Sequence, residues 1–280
     1  MRIVIYALLL GLLNLGCAWG AERTNPRSMN FPPLSFSIPK AERVLLKNGT
    51  PAYLLQDREL PIVTVTALIR TGSVYDPAAQ SGLAQLTGSQ LRGGGTTTLQ
   101  PRQLDEELEF MASGVESAFG SDNGMVTMTS LTRNLPRTLE LFSDVLFRPR
   151  FNEQRFEIAR RQALEALRRQ NDDPKEVGDR ELTKALYAGH PLGQIPTAAT
   201  LQAIKRSDLQ AFHRRFVRPD NLIITVSGDF DRSQIIHQLN RSVGSVRPVG
   251  ALALPTIPAV PPNDKPAVLY AAKQVNQSVI

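Results

Sequence analysis

Residues 62–70 read Ile-Val-Thr-Val-Thr-Ala-Leu-Ile-Arg. Val63, Val65, Ala67 and Ile69 fall on one face of an extended chain, and Thr64 and Thr66 on the other. A period of two in β-branched and apolar residues predicts a half-buried strand. Upstream, Asn48-Gly49 sits between Arg43-Val44-Leu45-Leu46 and Ala52-Tyr53-Leu54-Leu55, which predicts a hairpin. Downstream, Gly82 to Arg92 predicts a short helix. Gly93-Gly94-Gly95 ends it, because three glycines carry too much backbone entropy to stay helical. That run follows a helix instead of preceding one and lacks the lysine of a phosphate cradle, so it reads as a flexible loop. Leu104 to Ala112 predicts a helix, and Gly114–Ala118 with Met125–Thr132 an antiparallel pair.

Asn134 is expected to cap a helix through Val145, with Leu139, Phe142, Val145 and Leu146 as its apolar stripe and Pro149 as its stop. Asn152 to Gln170 carries the strongest helical signal. Phe156, Ala159, Ala163, Ala166 and Leu167 share one face, and Glu157, Arg161 and Glu165 form an i,i+4 ladder about 100° away. Glu165 is expected to pair with Arg161 and Arg169, and Ala166 to pack inward. Further helices are expected near 177–187, 198–204, 207–216 (capped by Ser207) and 231–239, with a buried strand at Leu222–Ser227. Hairpins mixed with long helices, without strict β-α alternation, predict an α+β fold in which helices back a mainly antiparallel sheet.

The chain has 280 residues, 42% of them hydrophobic and 21% charged, which excludes a disordered, collagenous or coiled-coil protein. Met1-Arg2, the apolar Ile3–Leu15 and Ala18-Trp19-Gly20 make residues 1–20 a signal peptide, too short to span a bilayer. The expected destination is the periplasm or the exterior, with no transmembrane segment. Leu15-Gly16-Cys17 is the weaker alternative of a lipoprotein box acylated at Cys17. Residues 21–40 read as an extended arm, 41–246 as the folded domain, 247–266, with six prolines, as a linker, and 267–280 as the start of a further strand unit. The net charge is +6, but the basic doublets lie on amphipathic helices beside acids, so no nucleic-acid partner is expected. One cysteine excludes an intrachain disulfide and a four-cysteine zinc module. The three histidines, His190, His213 and His237, are too far apart in sequence to form a helical two-histidine metal motif. His190 reads as a turn hydrogen-bonder, His213 as a solvated residue on a basic face, and His237 as the polar edge of its helix.

The order of short motifs resembles the insulinase/pitrilysin family, which includes the mitochondrial processing peptidases. The resemblance rests on Leu46-Lys47-Asn48-Gly49, Arg70-Thr71-Gly72-Ser73 with Gly82-Leu83-Ala84, Asp172-Asp173-Pro174, His190-Pro191-Leu192-Gly193, Arg218-Pro219-Asp220-Asn221 with Gly228-Asp229-Phe230, and Gln277-Ser278. In active members Gly-Leu-Ala is followed by H-x-x-E-H. Its histidines hold zinc, its glutamate activates the metal-bound water, and a later glutamate is the third ligand. Here Gln85 and Ser89 stand at the histidine positions, Gly88 at the base and Ala166 at the third ligand. Neither an amide nor a hydroxyl competes for zinc at neutral pH, and glycine moves no proton.

The resemblance implies an exported, non-catalytic homologue without a cofactor, in place of the zinc of active members, and with no catalytic residue. Its implied partner is a zinc-bearing family member in a heterodimer that encloses a polypeptide substrate, held by addition to a sheet edge. The segment 267–280 would open a second, homologous domain. Two other readings stay open: an active zinc metalloendopeptidase, and an envelope binding or scaffold protein without a peptidase partner. Restoring histidine at 85 and 89 and glutamate at 88 and 166 is expected to rebuild a zinc site, with α-helix around Gly88 tolerating the change.

Overall fold

In the computed structural model the described residues are 37–260, together with 262, 266, 268 and 270. The leader, Cys17, Gln277-Ser278 and most of 267–280 lie outside them. Contacts divide the chain into Met1–Pro39 and a unit from Lys40 onward, which carries every element below.

The sheet has six strands, β1 (Glu42–Leu45), β2 (Pro51–Gln56), β3 (Ile62–Ile69), β4 (Gly114–Phe119), β5 (Gly124–Leu131) and β6 (Leu222–Gly228). Their order is β1-β2-β6-β3-β5-β4. Every neighbouring pair is antiparallel except β2 and β6. The sheet is therefore mainly antiparallel, and the fold is α+β. The alternation at 62–70 does what its period dictates: Val63, Val65, Ala67 and Ile69 are buried. Val126 and Met128 of β5, Ile224 and Val226 of β6, and Ala52 and Leu54 of β2 continue that face. The opposite face carries the threonines and a row formed by Ile223, Leu68 and Met125, side by side in register and exposed.

Eight helices are described, α1 (Leu83–Gly93), α2 (Pro101–Phe110), α3 (Leu135–Phe147), α4 (Glu153–Arg169), α5 (Pro174–Leu186), α6 (Ala198–Ala203), α7 (Arg206–Phe216) and α8 (Arg232–Arg241). Phe142, Phe156 and Phe216 are among the largest fully buried side chains, at the centre of the helical layer. Asn152 caps α4, its Oδ1 accepting the Arg155 N–H at 3.1 Å. Asn134 does not cap α3. Its backbone is already helical, at φ −98° and ψ −3°, and its side-chain amide donates to Met111 O at 2.7 Å. Helix α7 is likewise capped without Ser207: Asp208 Oδ2 accepts the Lys205 N–H at 2.8 Å.

The glycine run 93–95 is not a flexible loop. Gly94 and Gly95 are buried, and their carbonyls accept the N–H groups of Asn152 and Arg150 at 3.2 and 2.9 Å. A Cβ on Gly94 would lie 3.1 Å from the Phe151 Cα. Glycine serves close backbone approach here, not mobility.

The described part of the proline-rich segment after α8 is strapped to the body at Val249, Gly250 and Pro258. Arg218 donates to Val249 O and Gly250 O at 2.7 and 2.8 Å while its guanidinium also holds Asp220. His190 accepts the Leu192 N–H on Nδ1 at 3.1 Å, so Nε2 carries the proton and donates to Pro258 O at 2.9 Å. Arg218→Ala is expected to speed limited proteolysis within 247–258 about tenfold while lowering global stability by only about 1–2 kcal/mol. An unchanged cleavage rate would show that the strap is held elsewhere.

Candidate functional site

Helix α1 is placed by its N-terminus. Gly82 enters at φ +102°, and the buried Asp76 accepts the N–H groups of Gly82 and Ala84 at 2.8 and 2.9 Å. A carboxylate there complements the unpaired N–H groups and the helix dipole. Burial nevertheless pushes the Asp76 carboxyl up to about 6, outweighing the pull of those donors. Leu83, Ala84, Thr87 and Leu91 face the core, which leaves Gln85 and Ser89, one turn apart, exposed. The Gln85 side chain makes no hydrogen bond among the described residues, and Ser89 Oγ donates back to Leu86 O at 2.9 Å.

Gly88 is buried against β4. A Cβ at this position would lie 2.4 Å from the Phe119 backbone nitrogen, 2.9 Å from Phe119 Cγ and 3.0 Å from the Ala118 carbonyl carbon. Ser117 Oγ donates to Gly88 O at 2.6 Å and accepts the Arg92 N–H at 3.1 Å. Arg92 Nε donates to Val115 O at 3.1 Å, and its Nη2 lies 2.7 Å from Asp105 Oδ1. The expectation that α1 would tolerate glutamate at 88 is therefore wrong. A helix propensity gain of about 1 kcal/mol cannot offset a side chain built into strand backbone.

On α4, Ala166 is exposed, not packed inward. Ten residues at 100° each set it about 80° from Phe156, beyond a stripe that Ala159, Ala163, Leu164 and Leu167 complete. Glu165 is taken by Arg168 and Arg169, at 3.3 and 3.0 Å, and not by Arg161; Glu157 pairs with Arg160 at 2.6 Å. Were Gln85, Ser89 and Ala166 the ligand positions and Gly88 the base, as the resemblance implies, a carboxamide, a hydroxyl, a methyl and a hydrogen would not fit the zinc of active insulinase-type members. Among the described residues no group of three or more His, Cys, Asp or Glu comes together.

His190 behaves as a turn residue and His237 is exposed. His213 is not solvated. It is buried beside Leu209 and Phe216, its Nε2 bonds Leu146 O at 2.8 Å, and its ring meets the Phe151 ring edge-on at 5.7 Å between centroids. Burial pushes its imidazole down to about 4, against the hold of the Leu146 carbonyl. Sequence reading passed over Asp76, Arg92, Asp105 and Ser117. Arg92 had one usable signal, lying seven residues after Gln85 and so on nearly the same helical face.

Residues 53–200 match the family described as Insulinase (Peptidase family M16), and residues 203–280 match Peptidase M16 inactive domain. The chain belongs to the insulinase family. It is 24% identical over 224 residues to the zinc protease PqqE of Helicobacter pylori, covering 78% of this chain and 50% of that protein. It is 22% identical over 188 residues to the mitochondrial-processing peptidase subunit beta of Dictyostelium discoideum, covering 66% and 40%. Among solved structures, a peptidase M16 inactive domain from Pseudomonas fluorescens matches with a TM-score of 0.72 at 24% identity, over 79% of this chain and 54% of that one. The first half of the periplasmic protease PqqL from Escherichia coli matches with a TM-score of 0.69 at 19% identity, over 80% and 50%. The chain thus spans about half the length of the curated relatives it matches first.

Proposed function

We propose that this chain is an exported, non-catalytic member of the insulinase family that partners a zinc-bearing member and helps hold an extended polypeptide beside it. The observation that carries this reading is the seat of Gly88. The position where active members need a proton-moving carboxylate has no room for a side chain, because strand β4 lies against it. Gln85, Ser89 and Ala166 support the same reading through their chemistry. Similarity to a periplasmic protease supports the periplasm as its compartment; no helix among the described residues is long and apolar enough to cross a membrane. A second domain starting near residue 267 would complete the half that is matched here.

The test is made on the purified protein. Elemental analysis is expected to find no stoichiometric zinc, unstructured peptides are expected to stay intact, and a tagged chain expressed in its own cells is expected to co-purify with a relative that carries H-x-x-E-H. One tightly held zinc per chain, lost on Gln85→Ala, would return the active-peptidase reading. A zinc-free chain that co-purifies with no such relative would favour the scaffold reading.

A further inference from the structure

Strand β4 ends the sheet, and its outward backbone groups can be assigned. Gly120 N–H donates to Asn123 O at 2.8 Å, closing the hairpin on a bonded pair. Counting back through the register, Ala118–Met125, Glu116–Thr127 and Gly114–Thr129 are bonded pairs, whereas Phe119, Ser117 and Val115 are not. The N–H and C=O groups of Val115, Ser117 and Phe119 therefore point away from β5, toward the free edge. Phe119 N is covered by the backbone of Gly88. Val115 O is occupied by Arg92 Nε. The backbone N–H and C=O of Ser117 carry no hydrogen bond among the described residues.

We propose that Arg92 is a latch on this edge, and that it is opened by an extended polypeptide bearing a carboxylate on its C-terminal side. This rests on the reading of the chain as a polypeptide holder. With the latch shut, β4 offers one open ladder position, at Ser117. The two ends of the edge differ in kind. The Gly88–Phe119 contact is backbone on backbone and cannot open without moving α1. The Arg92 contact is a side chain that rotamer changes can swing away. An antiparallel guest runs with its C-terminal part toward Val115, so that part meets the guanidinium. A carboxylate there can replace Asp105 as the partner of Arg92, and Val115 O is then free to accept a guest N–H. Asp105 is shared between Arg92 at 2.7 Å and Arg155 at 3.5 Å, so it stays paired when Arg92 leaves.

The experiment uses the full chain and two fluorescent peptides that alternate threonine and valine, one ending in glutamate with a free carboxylate, the other amidated and neutral. The wild type is expected to bind the acidic peptide about five-fold more tightly, the equivalent of one modest hydrogen bond. Arg92→Ala is expected to abolish that preference and to raise affinity for the neutral peptide several-fold; Asp105→Asn, which keeps the guanidinium and removes its competing partner, is expected to widen the preference. A neutral peptide that binds Arg92→Ala no better than the wild type would overturn the latch. If no variant binds either peptide, the polypeptide-holding reading fails. The closure itself is judged separately by exchange of the Arg92 Nε–H proton, which the latch donates to Val115 O: without peptide it should exchange more slowly than the Nε–H of the exposed Arg102 side chain, and equal exchange would refute it.

Discussion

Replacing Gly88 with glutamate is expected to lower the unfolding free energy by about 3 kcal/mol or more, at the upper end of what overpacking a core costs. A Cβ 2.4 Å from the Phe119 nitrogen has no flexible side chain to push aside. Helix α1 must lift from β4, which breaks the Ser117–Gly88 bond and draws Arg92 from Val115. In a unit of this size the melting temperature should fall by about 6–12 °C. Alanine at 88 should already cause most of the loss, because the clash begins at Cβ. Gln85→His, Ser89→His and Ala166→Glu together are expected to melt within about 2 °C of the wild type, since surface changes are usually within ±0.5 kcal/mol. A Gly88→Ala protein that melts at or above the wild type would refute this account of the site.

The contrast between Gly88 and its neighbours shows which parts of the molecule were legible from sequence. Residues 62–70 identify their own buried face because side chains alternate with the pleat, and Asn48-Gly49 identifies its hairpin because the turn demands those residues. The strand at Leu222 was visible as well. Its parallel seat beside β2 was not, because pairing across that separation leaves no local turn signal. Gln85, Ser89 and Ala166, expected at the ligand positions of active members, were readable only as residue types. What the glycine does was not readable: in sequence it is an absent base, and only the distance to Phe119 makes it a contact. Ala166 failed by about 80° of helix rotation, since a spacing that places an alanine near a stripe does not say on which side the stripe ends. His213 failed in the opposite direction. It follows an apolar phenylalanine and precedes two arginines, and the pattern of α7 admits either face.

The stability of the wild type is expected to be nearly flat between about pH 4 and 6 as far as Asp76 and His213 are concerned, because these two buried groups oppose each other. The folded state holds the His213 imidazole down at about 4, from an ordinary value of 6.5. Between those values the unfolded chain binds a proton that the folded protein does not, so stability falls as the pH falls, by about 3 kcal/mol at about 1.4 kcal/mol per pH unit. The folded state holds the Asp76 carboxyl up at about 6, from 3.8. Across that window the folded protein binds a proton that the unfolded chain does not, so stability rises as the pH falls, again by about 3 kcal/mol. Single substitutions should unmask each slope. Asp76→Asn keeps one acceptor for α1 and is expected to lose stability steadily on acidification from pH 6 to 4. His213→Gln keeps an amide N–H close to the position of Nε2, facing Leu146 O, and is expected to gain stability over the same range. The measurement is urea unfolding of the three proteins at matched ionic strength, compared through the slope of unfolding free energy against pH and not its absolute value. Parallel slopes would mean that α1 and α7 are not held by the two buried groups as described.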